Sequence, residues 1–184
     1  MAVLSLNLIT GAAAGLPGGA NGQEIAPSEY QMKAAFLYNF AKFVEWPPAV
    51  LPENSTLVIG VLGDDPFNGA LENTLRGKSV AGHPLTSRRV KSLSEAKTCH
   101  ILFINGLEKK RWAEISGALA GSSVLTVSEN WDNFTDAGGM IYFFMDERRV
   151  CFDINAEAAR RASLNISSKL MLLRKKPPVT PGIT

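Results

Sequence analysis

Two spacings of apolar residues alternate along this chain. From Ser28 to Trp46 the positions Ala35, Phe36, Phe40, Phe43 and Val44 recur at helical intervals, which predicts a helix with one buried face. Ser28 with Gln31 three residues later forms a capping-box pattern at its start, and Pro47-Pro48 stops it. The run LVIGVLG (Leu57–Gly63) is short, apolar and β-branched, as a strand buried on both faces requires. Asp64-Asp65-Pro66 then reads as the cap of a helix over Phe67–Leu75. Further strands are predicted near Leu85–Val90, at CHILFIN (Cys99–Asn105) and at SVLTVS (Ser123–Ser128). A helix over Glu108–Ala120, stopped by Gly121, separates the last two, and a short helix is predicted around Trp131–Thr135. Gly138-Gly139 leads into MIYFFMD (Met140–Asp146), which turns through Asp146–Arg149 and returns as VCFDIN (Val150–Asn155). Two helical pieces follow, Ala156–Arg161 and Ser167–Lys175.

Repeated strand–helix units predict a single α/β domain over residues 28–176. Its central sheet is mostly parallel, with helices on both faces and an antiparallel hairpin at one edge. The 184-residue length fits one domain. No internal repeat or low-complexity block interrupts the pattern.

The ends read differently. Residues 2–23 carry no charge, and the apolar stretch Ala2–Leu16 has the length of a secretory h-region followed by small residues. It is too short for a transmembrane helix of ~20 residues. Residues 1–23 are therefore expected to be a signal peptide or apolar leader, although no Lys or Arg precedes the apolar run. The Pro-rich residues 177–184 are expected to be a disordered tail.

Charge narrows the function. Nineteen basic residues face seventeen acidic ones, and three of the basic residues are the run Arg174-Lys175-Lys176. Without that run the acids are in the majority, so no broad basic surface for nucleic acid is expected. The run itself reads as cations at a helix end, with an anion contact as the alternative. Cys99 and Cys151 are too few for a disulfide framework. His83 and His100 are the only histidines, which argues against a multi-ligand metal centre or a His-based hydrolase.

The candidate chemical motifs have structural explanations. Gly60-Val61-Leu62-Gly63 lacks the G-x-G-x-x-G spacing that lets backbone approach a pyrophosphate. Asp64 and Asp65 after the first strand resemble the acidic pair of a phospho-receiver domain. The third strand, however, ends in Asn105, which has no carboxylate to accept a phosphoryl group; helix capping is the simpler role. Cys99 and His100 are adjacent on a strand, so their side chains point to opposite faces. Gly138-Gly139 fits a turn with positive φ. Tyr38 and Trp46 are expected partly outside the buried helical face, where aromatics serve interfaces.

Read whole, KAAFLYNFAKFVEWP (Lys33–Pro47), LVIGVLGDDPF, CHILFI, VLTVSEN (Val124–Asn130), GGMIYF and FDINAEAARRASLNISSKLMLL (Phe152–Leu173) occur in an order that resembles the YfiR-like family of bacterial exported proteins. The resemblance covers about residues 29–174. It implies a periplasmic, non-catalytic, typically dimeric α/β domain without a cofactor. Its partner would be the periplasmic part of an inner-membrane diguanylate cyclase, held inactive so that cyclic-di-GMP signalling and biofilm formation are restrained. Other members occur with sensor kinases, which makes a small-ligand sensor the alternative. Relatives often carry a cysteine where Gly60 stands, able to bridge to the position of Cys99; here Cys99 is expected to be a free buried thiol. Tyr38, Trp46, Arg174 and Lys176 are the candidate partner-binding residues, with the cations also able to meet a small anionic ligand.

Overall fold

The computed structural model describes residues 27–177; the expected leader and nearly all of the expected tail lie outside the described residues. The chain builds a seven-stranded sheet in the order β3-β4-β2-β5-β6-β7-β8. These strands are β2 (Leu57–Leu62), β3 (Ser79–Val80), β4 (His83–Val90), β5 (Ile101–Ile104), β6 (Leu125–Glu129), β7 (Ile141–Asp146) and β8 (Arg149–Ile154). The five strands β4-β2-β5-β6-β7 are parallel, and β8 returns antiparallel beside β7 through the predicted hairpin. Among the parallel strands the order is 2-1-3-4-5 in chain sequence, one of the two common orders of a doubly wound sheet. The expected α/β class, the parallel core and the edge hairpin are all present.

The sheet divides two cores. On one face lie α1 (Glu29–Phe43), α2 (Ala70–Leu75), α5 (Ala156–Arg161) and α6 (Ser168–Leu173), which bury Leu37, Phe40, Leu71, Ala159 and Leu170 against Ile59, Phe103, Val127 and Phe143. On the other, α3 (Leu93–Ala96) and α4 (Trp112–Leu119) cover Leu62, Leu102 and Ile104 with Ala96, Ile115 and Leu119. Strands that alternate between two buried faces read as continuous apolar runs, which is why β2 and β5 were plain in the sequence.

Several boundaries move, each for a local reason. The capping box of α1 forms as expected, with the Ser28 hydroxyl accepting from Gln31 N–H and the Gln31 side chain accepting from Ser28 N–H. The helix ends at Phe43, not Trp46. Val44-Glu45 becomes a two-residue strand, β1, paired antiparallel with β9 (Asn165–Ile166), and Pro47 favours that extended approach. The buried stripe of α1 is Lys33, Ala34, Leu37, Phe40 and Ala41, whereas Ala35, Phe36 and Phe43 are only half-buried.

Asp65 caps a turn, its carboxylate accepting from Phe67 N–H at 2.9 Å; α2 begins only at Ala70 because Asn68 and Gly69 are left-handed. The helix expected from Glu108 opens with a 3-10 segment, Gly106–Arg111, before α4. Trp131–Thr135 forms no helix: left-handed Asn130 and Asn133 break it into turns that gather Trp131 and Phe134 against Trp112, each edge to face with its indole. The segment expected to be helical to Lys175 leaves the helix after Leu173, so Arg174, Lys175 and Lys176 do not complement a helix end. Arg174 is extended, and Lys175 N–H donates to Phe152 O on β8 at 2.8 Å.

Gly138 takes the positive φ its turn demands, +94°. Gly60 is needed for space instead. A Cβ there would come within 2.5 Å of Cys99 Sγ and 2.7 Å of Val90 Cγ2. Cys99 is buried, Cys151 half-buried, and both are free. The strand-one-to-strand-three juxtaposition is therefore real, but one thiol is missing. Gly60→Ala should destabilise the domain by ~1–3 kcal/mol through overpacking, read as a lower thermal midpoint. Gly60→Cys, oxidised, should melt above Gly60→Ala because a bond to Cys99 replaces the clash. Equal midpoints for Gly60→Ala and the parent would remove this account.

Candidate functional site

A doubly wound sheet binds ligands beyond the carboxyl ends of its strands, near the point where strand order reverses. Here that point lies between β2 and β5, and its loops are Gly63-Asp64-Asp65 and Asn105-Gly106. The crevice is filled by its own side chains. Asn105 Nδ2 donates to Asp64 O at 2.8 Å while its Oδ1 accepts from Leu107 N–H at 2.9 Å. A Cβ on Gly63 would meet both Asn105 and Glu108 at 3.1 Å. Asp65 is held by its turn and faces Arg89 at 3.6 Å. Among the described residues no three His, Cys, Asp or Glu side chains gather as a metal site.

Next to this crevice lies a polar cluster that the sequence reading missed. Lys33 is 1% exposed and Glu129, the last residue of β6, is 2% exposed. The Lys33 ammonium pairs with both Glu129 and Glu29, and Tyr30 donates its hydroxyl to Glu129 Oε1 at 3.1 Å. The ammonium also lies 4.8 Å from the Tyr30 ring centre. Burial, then the Glu129 charge, pushes the Tyr30 phenol up to about 12. Every charged group in this network already has a partner, so it ties the first turns of α1 to the sheet and presents no free acid, base or nucleophile. The signal was present in sequence. A lysine interrupts the apolar stripe of a helix, and a glutamate ends a strand that is buried throughout.

The amino ends of the strands are organised around His100. Its Nδ1 accepts from Val58 N–H at 3.0 Å, which places the ring proton on Nε2, 3.3 Å from Val50 O. Its carbonyl accepts from Trp46 Nε1–H at 3.2 Å. Trp46, expected on an exposed flank, is therefore a core residue at 9% exposure, and its indole could not stay hydrogen-bonded there if it faced solvent. Tyr38 is half-buried, with Lys42 and Lys78 ammonium groups 5.5 and 4.4 Å from its ring centre. Arg174 and Lys176 are exposed, and the Arg174 guanidinium reaches Ile154 O at 3.4 Å. The four candidate residues do not converge. His100 and Ile154 sit three strand spacings apart, about 14 Å at ~4.8 Å per strand.

Comparison with known protein families matches residues 30–174 to the family described as YfiR/HmsC-like. The chain belongs to the YfiR/HmsC-like family. No curated protein matches it. The matched span runs from the Tyr30 of the buried cluster to the Arg174 that leaves α6, so it contains every strand of the sheet. Among the described residues no helix is long and apolar enough to cross a membrane.

Two expectations test these sites. Lys33→Met should lower stability by ~3–5 kcal/mol, because it leaves the buried Glu129 carboxylate without its counter-ion, and Glu129→Leu should cost less, because Lys33 keeps Glu29. The double variant should recover much of that loss in denaturant titration; additive losses would show that the two charges are not energetically coupled and would remove this account.

His100 gives a pH dependence. Burial lowers its pKa below the usual 6.5, so the unfolded chain binds the proton more readily than the folded one. Stability from the neutral ring is complete above ~6.5 and is lost as pH falls below it. Thermal midpoints should fall on acidification through that window, and less steeply in His100→Gln; parallel curves for both proteins would refute the assignment.

Proposed function

We propose that this protein is an exported, non-enzymatic regulator that binds the periplasmic domain of an inner-membrane diguanylate cyclase and represses it. The result is restrained cyclic-di-GMP signalling and biofilm formation. The observation that carries the reading is family membership across residues 30–174, nearly the whole described fold. The filled crevice at the carboxyl ends of β2 and β5 supports a binding role over catalysis, since its polar groups are spent on each other.

The interface is best supported at α6. Leu172 and Leu173 are 85% and 64% exposed, and Arg174 and Lys176 follow them directly. Apolar residues edged by cations are what a partner surface of ~800 Å² needs at its centre and rim. Lys175 fixes this segment to the edge hairpin by pairing with Asp146 and through its backbone bond to Phe152. Met145 on that hairpin adds a further exposed apolar side chain. A second copy of the chain, as in a homodimer, could use the same surface and would then compete with the cyclase. Trp46 is withdrawn from this surface by its burial; Tyr38 stays a peripheral candidate.

Deleting the gene should raise intracellular cyclic di-GMP and surface attachment, and supplying the exported protein in trans should reverse both. Leu172→Asp with Leu173→Asp should leave folding intact, because both side chains are solvent-facing, yet fail to restore repression. Unchanged cyclic di-GMP on deletion would sink the repressor reading. Full complementation by the double variant would move the interface away from α6.

A further inference from the structure

At the amino edge of β2, on the α1 side of the sheet, three segments leave a slot of about 300 Å³. Its apolar lining includes Val44, Trp46, Leu51, Leu57 and Val80. The segments are the end of α1 with β1, the loop Pro48–Glu53, and the β3–β4 turn around Ala81 and His83. The turn is held in place by a contact between His83 Nδ1 and Ser55 O at 3.0 Å, and the indole by its bond to His100 O. Ligand pockets begin at ~300 Å³, so the slot suits a small molecule.

The charged groups in this lining are both carboxylates. Glu45 Oε2 accepts from Asn165 Nδ2 at 2.8 Å, which fixes its position. Glu53 has no hydrogen bond or ion pair among the described residues. Among the described residues, the other ionisable group in the lining is His83, engaged with Ser55 O. An apolar slot with a free carboxylate at its rim complements a ligand with an apolar body and one ammonium group. It disfavours a carboxylate or phosphate, which would meet like charge.

We propose that this slot is a binding site for a small apolar-bodied monoamine. The amine's hydrocarbon lies over the Trp46 indole and its ammonium meets Glu53. The site stands at the opposite end of the strands from the filled crevice and is separate from the α6 surface, so it does not depend on the repressor reading. Occupancy would bridge the Pro48–Glu53 loop and the β3–β4 turn, giving the domain a way to respond to an amine.

The test uses the purified chain and three probes sharing one phenethyl or benzyl body: phenethylamine, 2-phenylethanol and phenylacetate. Phenethylamine should shift the Trp46 indole N–H resonance saturably. The alcohol should bind about fivefold more weakly, the scale of one exposed ion pair, and phenylacetate should show no saturation. Glu53→Gln, an exposed change that leaves the fold alone, should close the gap between amine and alcohol while leaving alcohol affinity unchanged. Equal binding of amine and phenylacetate, an amine preference that survives Glu53→Gln, or shifts confined to Trp112 and Trp131 would each overturn the proposal. So would protection of the Val80–His83 amides that grows with protein concentration without any amine, because it would assign the slot to a second copy.

Discussion

Removing an ammonium group from water costs several kcal/mol unless a carboxylate meets it in good geometry, and α1 accepts that cost at Lys33. The pairing with Glu129 fixes which turn of α1 faces the end of β6. A one-residue rotation of the helix would leave Glu129 buried without its cation and Lys33 with only Glu29 of its own helix. From that anchor the rest of the stripe follows at helical spacing, with Leu37, Phe40 and Ala41 meeting Phe103, Phe143 and Phe152. The other end of α1 is fixed by β1 pairing with β9, so the helix is held at both ends by polar contacts and along its length by apolar ones. Orientation comes from the ion pair, and stability from the packing it aligns.

This arrangement decides which end of the sheet can work. At the carboxyl ends, the Lys33 network and the Asn105 bridge occupy the space where a doubly wound fold usually admits a ligand. At the amino ends, the backbone needs of β2 and β5 are met by His100 and Trp46 from within, and the surrounding loops stand apart enough to leave a slot. A domain built this way leaves its open space away from the position that the fold alone suggests. The fold therefore says little about function here, and the sites say more.

The sheet was legible in sequence because β2, β5 and β7 are apolar on both faces, a pattern few other structures produce. The capping box at Ser28 and the Asp146–Arg149 hairpin were legible because each uses local chemistry. What misled were decisions taken by distant parts of the chain. Trp46 looked interfacial because its partner, the carbonyl of His100, is 54 positions away. Lys33 takes its role from Glu129, which is 96 positions away. The stop of α1 at Phe43 depends on Asn165–Ile166 arriving to pair with Val44–Glu45, which no local propensity announces. Charged or polar residues set inside apolar periodicity are the readable trace of such pairings, and Lys33 carried it.

The sheet edges bear on how this domain meets other molecules. An unpaired strand offers a row of backbone donors and acceptors to any passing strand. One edge here is β3, two residues long and followed by the left-handed Ala81-Gly82 turn. The other is β8, whose Phe152 and Ile154 carbonyls are taken by Lys175 N–H and the Arg174 guanidinium. The cations that looked like a helix terminus thus close the exposed edge while their neighbours Leu172 and Leu173 stay in solvent. Strand addition is disfavoured at β3 and β8, while β3 covers only the start of β4 and leaves the outer side of β4 beyond Leu85 without a strand partner among the described residues. The segment after α6 thus protects one edge of the sheet with its own backbone, and that attachment sets where its apolar and basic side chains stand.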